Sequence, residues 1–311
     1  AMVALGALRT GSGVVRIAAP KAILAAVLPL CPYATAFAWT STKLTELLAF
    51  ADEHDVLAVG PGLGTSAGVK RLVLELLERH AGPMVFDADA LNVLAGLETS
   101  EWPKRRNWGN VVMTPHMGEY MRLMSAIMKR GANVALSPEA AGKSAPQEEE
   151  ERGPRKTRSL VDDEDDAPST ADGMVLDMPE EPKAKEKPPE KKPEPAEPDR
   201  TPLAELLARG TGAVVVLKGH RTVITNAARF AINTTGNPAM ATPGSGDVLT
   251  GVIASLIGQK LGALEAAVLG VHLHGRAGDL ARERFGENSA GLVAGDIAKN
   301  LPRAVGENVR G

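Results

Sequence analysis

A run of small residues, ATPGSGDVLTG at 241–251, leads into an aspartate and then into an apolar stretch. Gly244, Ser245 and Gly246, which we call the anion loop, can turn tightly because glycine carries no Cβ. A helix that begins here would offer backbone N–H groups without intrahelical acceptors, and such groups bind phosphate oxygens. Asp247 could then accept a proton from a substrate hydroxyl, although an aspartate that only caps the helix fits the spacing equally well.

Four loops with chemically useful residues follow predicted strands. They are VGPGLG (59–64), TPHMGE (114–119), VLKGHRT (216–222) and NTTGNPAMATPGSGD (233–247). In open α/β sheets, ligands bind beyond the carboxyl ends of the strands. We therefore expect Gly, His, Lys and Asp residues to meet at one edge of the sheet, and the glycine spacing of 59–64 differs from the dinucleotide fingerprint G-x-G-x-x-G.

The elements that must position these loops alternate between strand and helix. Strand patterns cover 14–19, 55–60, 83–89 and 110–115, and helical patterns cover 42–54 and 66–80. In 66–80, apolar residues recur at positions i, i+3, i+4, i+7 and i+8, which is typical of a helix with one face on a core. Repeated units of this kind predict a mostly parallel sheet with helices on its faces, and we interpret 14–19 as a buried strand.

The second half of the chain continues this pattern. Thr201 is predicted to cap a helix that has Pro202 at its first position and ends at Gly210. The elements that follow are a buried strand at 213–219, a hairpin of 221–226 and 229–233, a helix at 248–259, a long buried helix at 264–286 and a short helix within 289–305. Because neither half alone could cover both faces of a sheet, 1–135 and 200–311 are expected to share one sheet.

Composition narrows the class of protein. The 311 residues are 44% hydrophobic, which is enough for one large α/β domain. The net charge of −3 argues against a general nucleic-acid binder. Cys31 is the only cysteine in the sequence, so we expect a reducing, cytoplasmic setting. The uncharged run 22–39 contains Pro29 and Pro32, and we interpret it as a short helix, a turn and a buried strand rather than a membrane span.

Residues 147–200 differ from the rest in composition. They contain 18 acidic and 10 basic residues, a net charge of −8, together with nine prolines and no aromatic residue. Such a segment cannot bury enough apolar surface to offset its ordering entropy, so we predict a disordered insert at about 140–200. A tolerated insertion in a surface loop is the simpler interpretation, and a docking tail for a partner is the alternative.

Several motifs in this order resemble the signature of one family. GPGLG (60–64), FDADALN (86–92), TPHMGE, VVVLKG (214–219) and NTTGNPAMATPGSGDVLTG are similar to segments of the ADP- or ATP-dependent NAD(P)H-hydrate dehydratases, which are members of the ribokinase-like superfamily. The resemblance covers nearly everything outside 135–200. It implies a ribokinase-like three-layer α/β/α sandwich with a mostly parallel central sheet, formed by a single domain over 1–311 that the insert interrupts.

The resemblance implies a repair reaction on NADH or NADPH that has taken up water at C6 of the nicotinamide ring. ADP or ATP would phosphorylate the 6-hydroxyl group, phosphate would leave, and the reduced nicotinamide would be restored. This agrees with an aspartate base beside an anion loop. Hydroxide is a poor leaving group, and phosphorylation converts it into a good one. ADP versus ATP and NADH versus NADPH hydrate stay open, although the GSGD form looks more like the bacterial, ADP-using branch.

The resemblance also implies roles for individual residues. Asp247 would be the base on the 6-hydroxyl group, and Gly62 and His116 would contact the hydrate. The AMP part of the nucleotide would lie on Lys218, Gly219, His220, Arg221 and Thr222, and Gly246 would contact the nucleotide phosphate. Mg²⁺ is expected to bridge phosphate groups, as in phosphoryl transfer generally, and no metal ligand is assigned.

Other polar residues have two interpretations. Asp87, which matches the family's DADALN together with Asp89 and Asn92, could help to order phosphate or metal or could cap the next helix. His272 and His274 lie on the long helix at 264–286 and are expected to pack in the core or between helices.

Family members begin with a further strand and a Gly-rich turn, so the resemblance implies that this chain is N-terminally truncated. Some members also carry an epimerase domain there, which makes an epimerase domain or protein an expected partner. A homo-oligomer is expected as well, without nucleic acid or membrane partners.

Two alternative functions stay open. A ribokinase-like kinase of a vitamin precursor would use the same aspartate and anion loop but would leave the phosphate on its product. A truncated, non-catalytic nucleotide-binding or scaffold protein could use 147–200 to dock partners. The combination of TPHMGE and VGPGLG favours the dehydratase over the kinase.

Overall fold

In the computed structural model, the described residues are 1–40, 44–97, 102, 107–129, 198–285 and 289–309. The predicted insert therefore lies outside the described residues, except at its last three positions. The helices are α1 (Met2–Arg9), α2 (Lys21–Val27), α3 (Leu44–Asp52), α4 (Ala67–Arg79), α5 (Asp89–Ala95), α6 (Met117–Lys129), α7 (Thr201–Thr211), α8 (Ser245–Gly258), α9 (Ala263–Phe285) and α10 (Ala294–Val309). The strands are β1 (Arg16–Pro20), β2 (Thr35–Trp39), β3 (Leu57–Val59), β4 (Met84–Phe86), β5 (Val111–Met113), β6 (Val214–Leu217), β7 (Val223–Thr225) and β8 (Phe230–Ile232).

Six of these strands form the main sheet in the order β3-β4-β5-β6-β7-β8. Neighbouring strands from β3 to β6 are parallel, whereas β7 and β8 form the predicted antiparallel hairpin. The two halves of the chain meet between β5 and β6, where Val112 pairs with Val214 and Met113 with Val215. The prediction that both halves share one sheet is therefore confirmed.

Helices cover both faces of the main sheet. Successive strand residues point to opposite sides, so that Met84 and Phe86 pack with α4 to α7, whereas Val85 packs with α8, α9 and α10. All four residues of β6 are buried. Burial on both faces explains why this strand is continuously apolar instead of alternating. The structure thus has the predicted three layers, α/β/α.

Helix α8 is held tightly between its neighbours, which matters because it carries the anion loop. Helix α1 packs directly against it at Gly251, where a Cβ would lie 2.8 Å from the amide nitrogen of Ala7. The two middle turns of α8 are buried all round. The helix begins at Ser245, three residues earlier than predicted, so that Asp247 lies within its first turn.

A second, smaller sheet corrects one prediction. β1 and β2 pair in parallel with each other and, within the described residues, share no ladder with the main sheet. The prediction that both runs are buried is wrong: β1 alternates between exposed and half-buried residues, and only Trp39 is buried in β2. Arg16 of β1 instead forms a surface ion pair with Glu53 at 3.4 Å. A cavity of about 300 Å³ lies between β1 and β3.

Two predicted boundaries of α7 are wrong. Arg200 is the N-cap residue, Thr201 is the first helical residue, and the Asp199 carboxylate accepts the Thr201 N–H at 2.9 Å. The helix runs one residue beyond Gly210 and ends at Gly212, which has a φ of 77°. A glycine inside a helix costs only about 1 kcal/mol relative to alanine, so Gly210 does not force an end. Near the C-terminus, α10 has 16 residues and is longer than the predicted short helix.

None of the helices in the described part of the chain combines the length and the apolar character that a membrane crossing requires.

Candidate functional site

The anion loop forms the N-terminus of α8. Gly244 is the N-cap residue, and its φ of 84° is a left-handed conformation that glycine adopts readily. The Ser245 N–H donates to the carbonyl of Thr242 at 3.2 Å. Gly246 and Asp247 follow in the first turn, where a helix leaves its N–H groups without intrahelical acceptors. The local geometry therefore suits an anion, as the sequence predicts.

A buried carboxylate links the anion loop to the ends of β4 and β6. Asp87, which is 1% exposed, accepts a hydrogen bond from the Lys218 Nζ at 2.6 Å on one oxygen and from the Thr250 hydroxyl at 2.8 Å on the other. The Lys218 Nζ would lie 3.2 Å from a Cβ placed on Gly246. Asp87 does not cap α5, whose N-cap is Ala88. Of its two interpretations, helix capping is therefore wrong.

His116 and Glu119 form a reciprocal cap at the start of α6. The Glu119 carboxylate accepts the His116 backbone N–H at 2.9 Å, and the Gly118 N–H donates to His116 Nδ1 at 3.0 Å. His116 Nδ1 is thus an acceptor, so the ring proton of the neutral imidazole lies on Nε2. Glu119 is buried and lies 3.9 Å from the Lys218 Nζ, whereas the His116 side chain is 56% exposed. The exposed imidazole is available to a ligand.

The loop after β3 lies against the end of β4. Gly60 has a φ of 133°, and a Cβ there would lie 2.9 Å from the carbonyl carbon of Asp87, so no other residue fits without displacement. The Gly64 N–H donates to the Asp89 carboxylate at 2.7 Å. Between these two anchors, Gly62 is exposed with a φ of 70°. Gly62 therefore presents backbone without a side chain beside the strand ends.

Arg200 organises the segment predicted to hold the nucleotide. Its guanidinium donates to the carbonyls of Lys218 at 3.2 Å and Arg221 at 3.3 Å, and it also donates to the carbonyl of His220. Gly219, with a φ of 148°, leaves room for this approach because a Cβ would collide with the guanidinium. Three backbone carbonyls of this segment thus accept hydrogen bonds from the Arg200 side chain. These hydrogen bonds determine the local shape of the loop.

Thr222 ends this segment. Its hydroxyl donates to the carbonyl of Gly219 at 2.8 Å, and the residue is 8% exposed. Of the five residues predicted to hold AMP, Gly219, His220 and Arg221 are exposed, whereas the ammonium of Lys218 turns inward to Asp87. The middle of the segment is therefore exposed, whereas the charge of its lysine is directed into the protein.

Asp247 is half-buried, and its surroundings favour the protonated form. Burial raises the pKa of this carboxyl, and the negative charge of Asp87 raises it further, while the positive charge of Lys218 opposes both. A raised pKa makes the carboxylate a stronger base than an exposed aspartate. This suits a group that must take a proton from a hydroxyl.

His274 on α9 reaches the anion loop from the side of the helices. It is 8% exposed, and its Nε2 lies 3.4 Å from the Ser245 hydroxyl. Burial lowers the pKa of His274 to about 4, a hydrogen bond with the Ser245 backbone opposes this, and the positive charge of Lys218 lowers the pKa further. The imidazole is therefore neutral near pH 7. The expectation that His274 packs between helices holds, and the helix it contacts is the one that carries the anion loop.

The strand ends carry more negative than positive charge. Asp87, Glu119 and Asp247 lie around the single ammonium of Lys218. Within the described ranges, no group of three or more His, Cys, Asp or Glu side chains is arranged to hold a metal ion. The carboxylates of Asp87 and Glu119 already accept hydrogen bonds from Lys218, Thr250 and the His116 N–H.

Some residues of the site escape sequence reasoning. Arg200 lies in none of the quoted motifs, and Thr250, although it lies in the quoted stretch ATPGSGDVLTG, contacts Asp87 across 163 residues of chain. Glu119 could be found from its position three residues after His116, which is the spacing of a capping box. Asp279 on α9 has no local signal, yet its carboxylate accepts the Gly236 N–H at 2.9 Å.

The fold is ribokinase-like. A solved ribokinase-like superfamily protein of Enterococcus faecalis superposes with a TM-score of 0.64 at 19% identity, covering 98% of this chain and 81% of that one. An ADP/ATP-dependent NAD(P)H-hydrate dehydratase of Bacillus subtilis, co-crystallised with ATP and Mg²⁺, superposes with a TM-score of 0.63 at 24% identity, covering 99% and 84%. The predicted fold class is confirmed.

The family is also established. The sequence profile of the NAD(P)H-hydrate dehydratases matches residues 1–145 and 187–303, and this chain belongs to that family. The bifunctional NAD(P)H-hydrate repair enzyme of Moorella thermoacetica is 35% identical over 97% of this chain and 45% of its own length. The chain thus spans about half the length of the curated relatives it matches. The resemblance inferred from the motifs is confirmed.

Proposed function

We propose that this protein repairs NADH and NADPH by dehydrating their 6S-hydrates with ADP or ATP as phosphoryl donor. The observation that carries the proposal is the half-buried Asp247, whose pKa is raised, in the first turn of α8 beside the anion loop. A base and a phosphate-binding helix N-terminus thus lie within three residues of each other. Membership of the family supports this chemistry.

The proposed reaction has two steps. Asp247 takes the proton of the 6-hydroxyl group, the oxygen attacks the terminal phosphorus, and the bond to the leaving nucleotide breaks. The lone pair of the ring nitrogen then expels phosphate from C6, and loss of a proton from C5 restores the ring. Gly246 contacts the transferred phosphate through its backbone N–H, which stabilises the charge that develops there.

The remaining site residues divide between the two substrates. Gly62 and the exposed imidazole of His116 contact the hydrate, and 218–222 binds the AMP part of the nucleotide. The exposure of Gly219, His220 and Arg221 supports the second assignment. Lys218 lies at the start of this segment, and its ammonium is paired with Asp87 at 2.6 Å.

We propose that Mg²⁺ would neutralise the phosphate groups during transfer, since it is a hard cation that prefers oxygen ligands. Asp87 and Glu119 already accept hydrogen bonds from Lys218, Thr250 and the His116 N–H, and Asp247 must stay free to accept a proton, so no side chain is assigned as its ligand.

Three expectations about the whole protein stay predictions. They are a cytoplasmic setting, a homo-oligomer, and an epimerase domain or protein as a partner. The bifunctional relative of Moorella thermoacetica supports the last of these, because its name describes two activities on one chain.

A single assay tests the function. Purified protein is mixed with Mg²⁺, ADP or ATP, and chemically prepared NADPH hydrate, and the near-ultraviolet absorbance of reduced nicotinamide is followed together with free phosphate. A nucleotide-dependent rise with stoichiometric phosphate release supports the dehydratase and identifies its donor. Nucleotide consumption on a vitamin precursor, with phosphate retained on the product, would support the kinase instead.

A further inference from the structure

One face of α9 contacts the long loop that leads into α8. The Thr235 hydroxyl donates to the carbonyl of His272 at 2.9 Å. Further along the same helix, Asp279 accepts two hydrogen bonds, from the Gly236 N–H and from the Asn237 side-chain amide, each at 2.9 Å. These contacts lie upstream of the anion loop and belong to the sequence stretch that ends at Asp247.

Two glycines bring this face of α9 close to the loop. A Cβ on Gly275 would lie 2.7 Å from the carbonyl carbon of Thr235, and a Cβ on Gly278 would lie 2.6 Å from the Cγ of Met240. Either side chain would push the loop away from the helix. The HGRAGD segment at 274–279 therefore combines close approach with hydrogen bonding.

The Asn237 side chain connects Asp279 on α9 to the short helical turn that follows Asn237. Its amide group donates to Asp279, and its oxygen accepts the Ala239 N–H at 3.2 Å. Asn237 is in this way the cap of the short helical turn 238–240, which leads directly to the anion loop. The orientation of the amide is fixed because both of its ends are used.

His274 contacts the downstream end of the same stretch. Its buried imidazole lies 3.4 Å from the Ser245 hydroxyl, at the first residue of α8. Helix α9 thus contacts the loop at two places, upstream of the anion loop and at Ser245, where α8 begins.

We propose that Asp279 and His274 are positioning residues that hold the loop 235–245 so that the N-terminus of α8 faces the transferred phosphate. The inference rests on the proposed function for the identity of that phosphate. It predicts that loosening the contact with α9 weakens binding of the terminal phosphate of the nucleotide. Binding of the AMP part, which 218–222 holds, should be unaffected.

The test exchanges the two partners of one hydrogen bond. Asp279→Asn leaves the NH₂ groups of two amides facing each other, since Gly236 and Asn237 donate to different oxygens of Asp279 and an Asn side chain has only one oxygen. Adding Asn237→Asp restores all three hydrogen bonds with the roles reversed. Asp52→Asn is the matched control. Asp52 lies at the end of α3, away from this loop, and its carboxylate pairs with His80 at 2.8 Å. His274→Gln tests the second contact independently.

The readout is the dissociation constant of ADP and of AMP, measured by titration calorimetry with Mg²⁺ present. We expect Asp279→Asn to weaken ADP binding by about tenfold, as for loss of one charge-assisted hydrogen bond, with AMP binding unchanged. The reversed pair should return to within about threefold of the original protein. Turnover with NADPH hydrate, per folded molecule, should fall by up to about 100-fold in Asp279→Asn and recover in the reversed pair.

Three outcomes overturn the proposal. They are an unchanged ratio of ADP to AMP affinity in both Asp279→Asn and His274→Gln, failure of the reversed pair to restore that ratio, and failure of the original chain to bind either nucleotide. If Asp279→Asn does not fold, His274→Gln and the reversed pair decide. A chain that binds both nucleotides but shows no turnover contradicts the proposed function alone, and the affinity ratio still decides this inference.

Discussion

Replacing Asp87 by Asn hardly changes the size of the side chain, but it should lower the free energy of unfolding strongly. The Asp87 carboxylate and the Lys218 Nζ are 2.6 Å apart, with 2% and 19% of their side chains exposed. At an effective dielectric constant of about 20, two unit charges at this distance attract by about 6 kcal/mol. Much of this is offset by desolvation in the intact protein, but in Asp87→Asn the lysine keeps its desolvation cost and loses its partner.

We expect a loss of about 3 kcal/mol in the free energy of unfolding. This is the lower end of the range for broken buried ion pairs, because Lys218 retains some contact with water and Glu119 at 3.9 Å. Adding Lys218→Met should recover part of the loss, since a buried pair can be replaced by apolar groups at little cost. Urea unfolding followed by tryptophan fluorescence measures both values.

Asp55→Asn is the matched control for Asp87→Asn. Asp55 pairs with Lys260 at 2.5 Å, but the two side chains are 68% and 76% exposed. Exposed pairs contribute little to stability, so this control should be hard to distinguish from the original protein. Equal losses in Asp87→Asn and Asp55→Asn, or no recovery on adding Lys218→Met, would refute the account of a buried ion pair.

Three other predictions concern the loops and α9. Arg200→Gln should raise the KM for the nucleotide several-fold and leave kcat nearly unchanged, because it loosens only the binding segment. Gly60→Ala should destabilise by at least about 3 kcal/mol in urea unfolding, whereas Gly64→Ala, with open space around its Cβ, should cost about 1–2 kcal/mol. Because the pKa of His274 is about 4 when folded and about 6.5 when unfolded, stability falls as pH drops through this window. His274→Gln should therefore lose less stability between pH 7 and 5 than the original protein.

Much of the fold follows from local pattern. The apolar stripe of α4 and the continuously apolar β6 are sufficient to predict a sheet covered on both faces. The boundaries of α7 are not, because a carboxylate at 199 and a glycine at 212 compete with the equally plausible Thr201 and Gly210. The exposure of β1 cannot be predicted from the sequence either. Its apolar residues are compatible with a buried strand, but they do not indicate which sheet the strand joins.

The site divides in the same way. The anion loop and Asp247 lie in one short stretch, so their relation is visible in the sequence. The partners of Asp87 are not, because Thr250 is 163 residues away and Lys218 is 131 residues away. Spacing along the chain says nothing about such contacts, which exist only once the parallel strands have aligned their carboxyl ends.

The pH dependence of activity follows from the surroundings of Asp247. The base must be ionised, and burial together with the charge of Asp87 raises its pKa, so kcat/KM should fall on the acid side at a pH above the usual aspartate range. Asp87→Asn removes one of the two causes and should move this acid limb to lower pH. An unmoved limb would mean that another group limits the reaction.

The most direct test of the central claim is the nucleotide-dependent turnover of NADPH hydrate in Asp247→Asn compared with Asp296→Asn. Asp296 also lies in the first turn of a helix, α10, and accepts the Val293 N–H at 3.3 Å, so it controls for helix capping. If Asp247 is the base, Asp247→Asn loses turnover by about 10²–10⁴-fold while it binds nucleotide as before, and Asp296→Asn stays active. Normal turnover in Asp247→Asn would contradict the assignment.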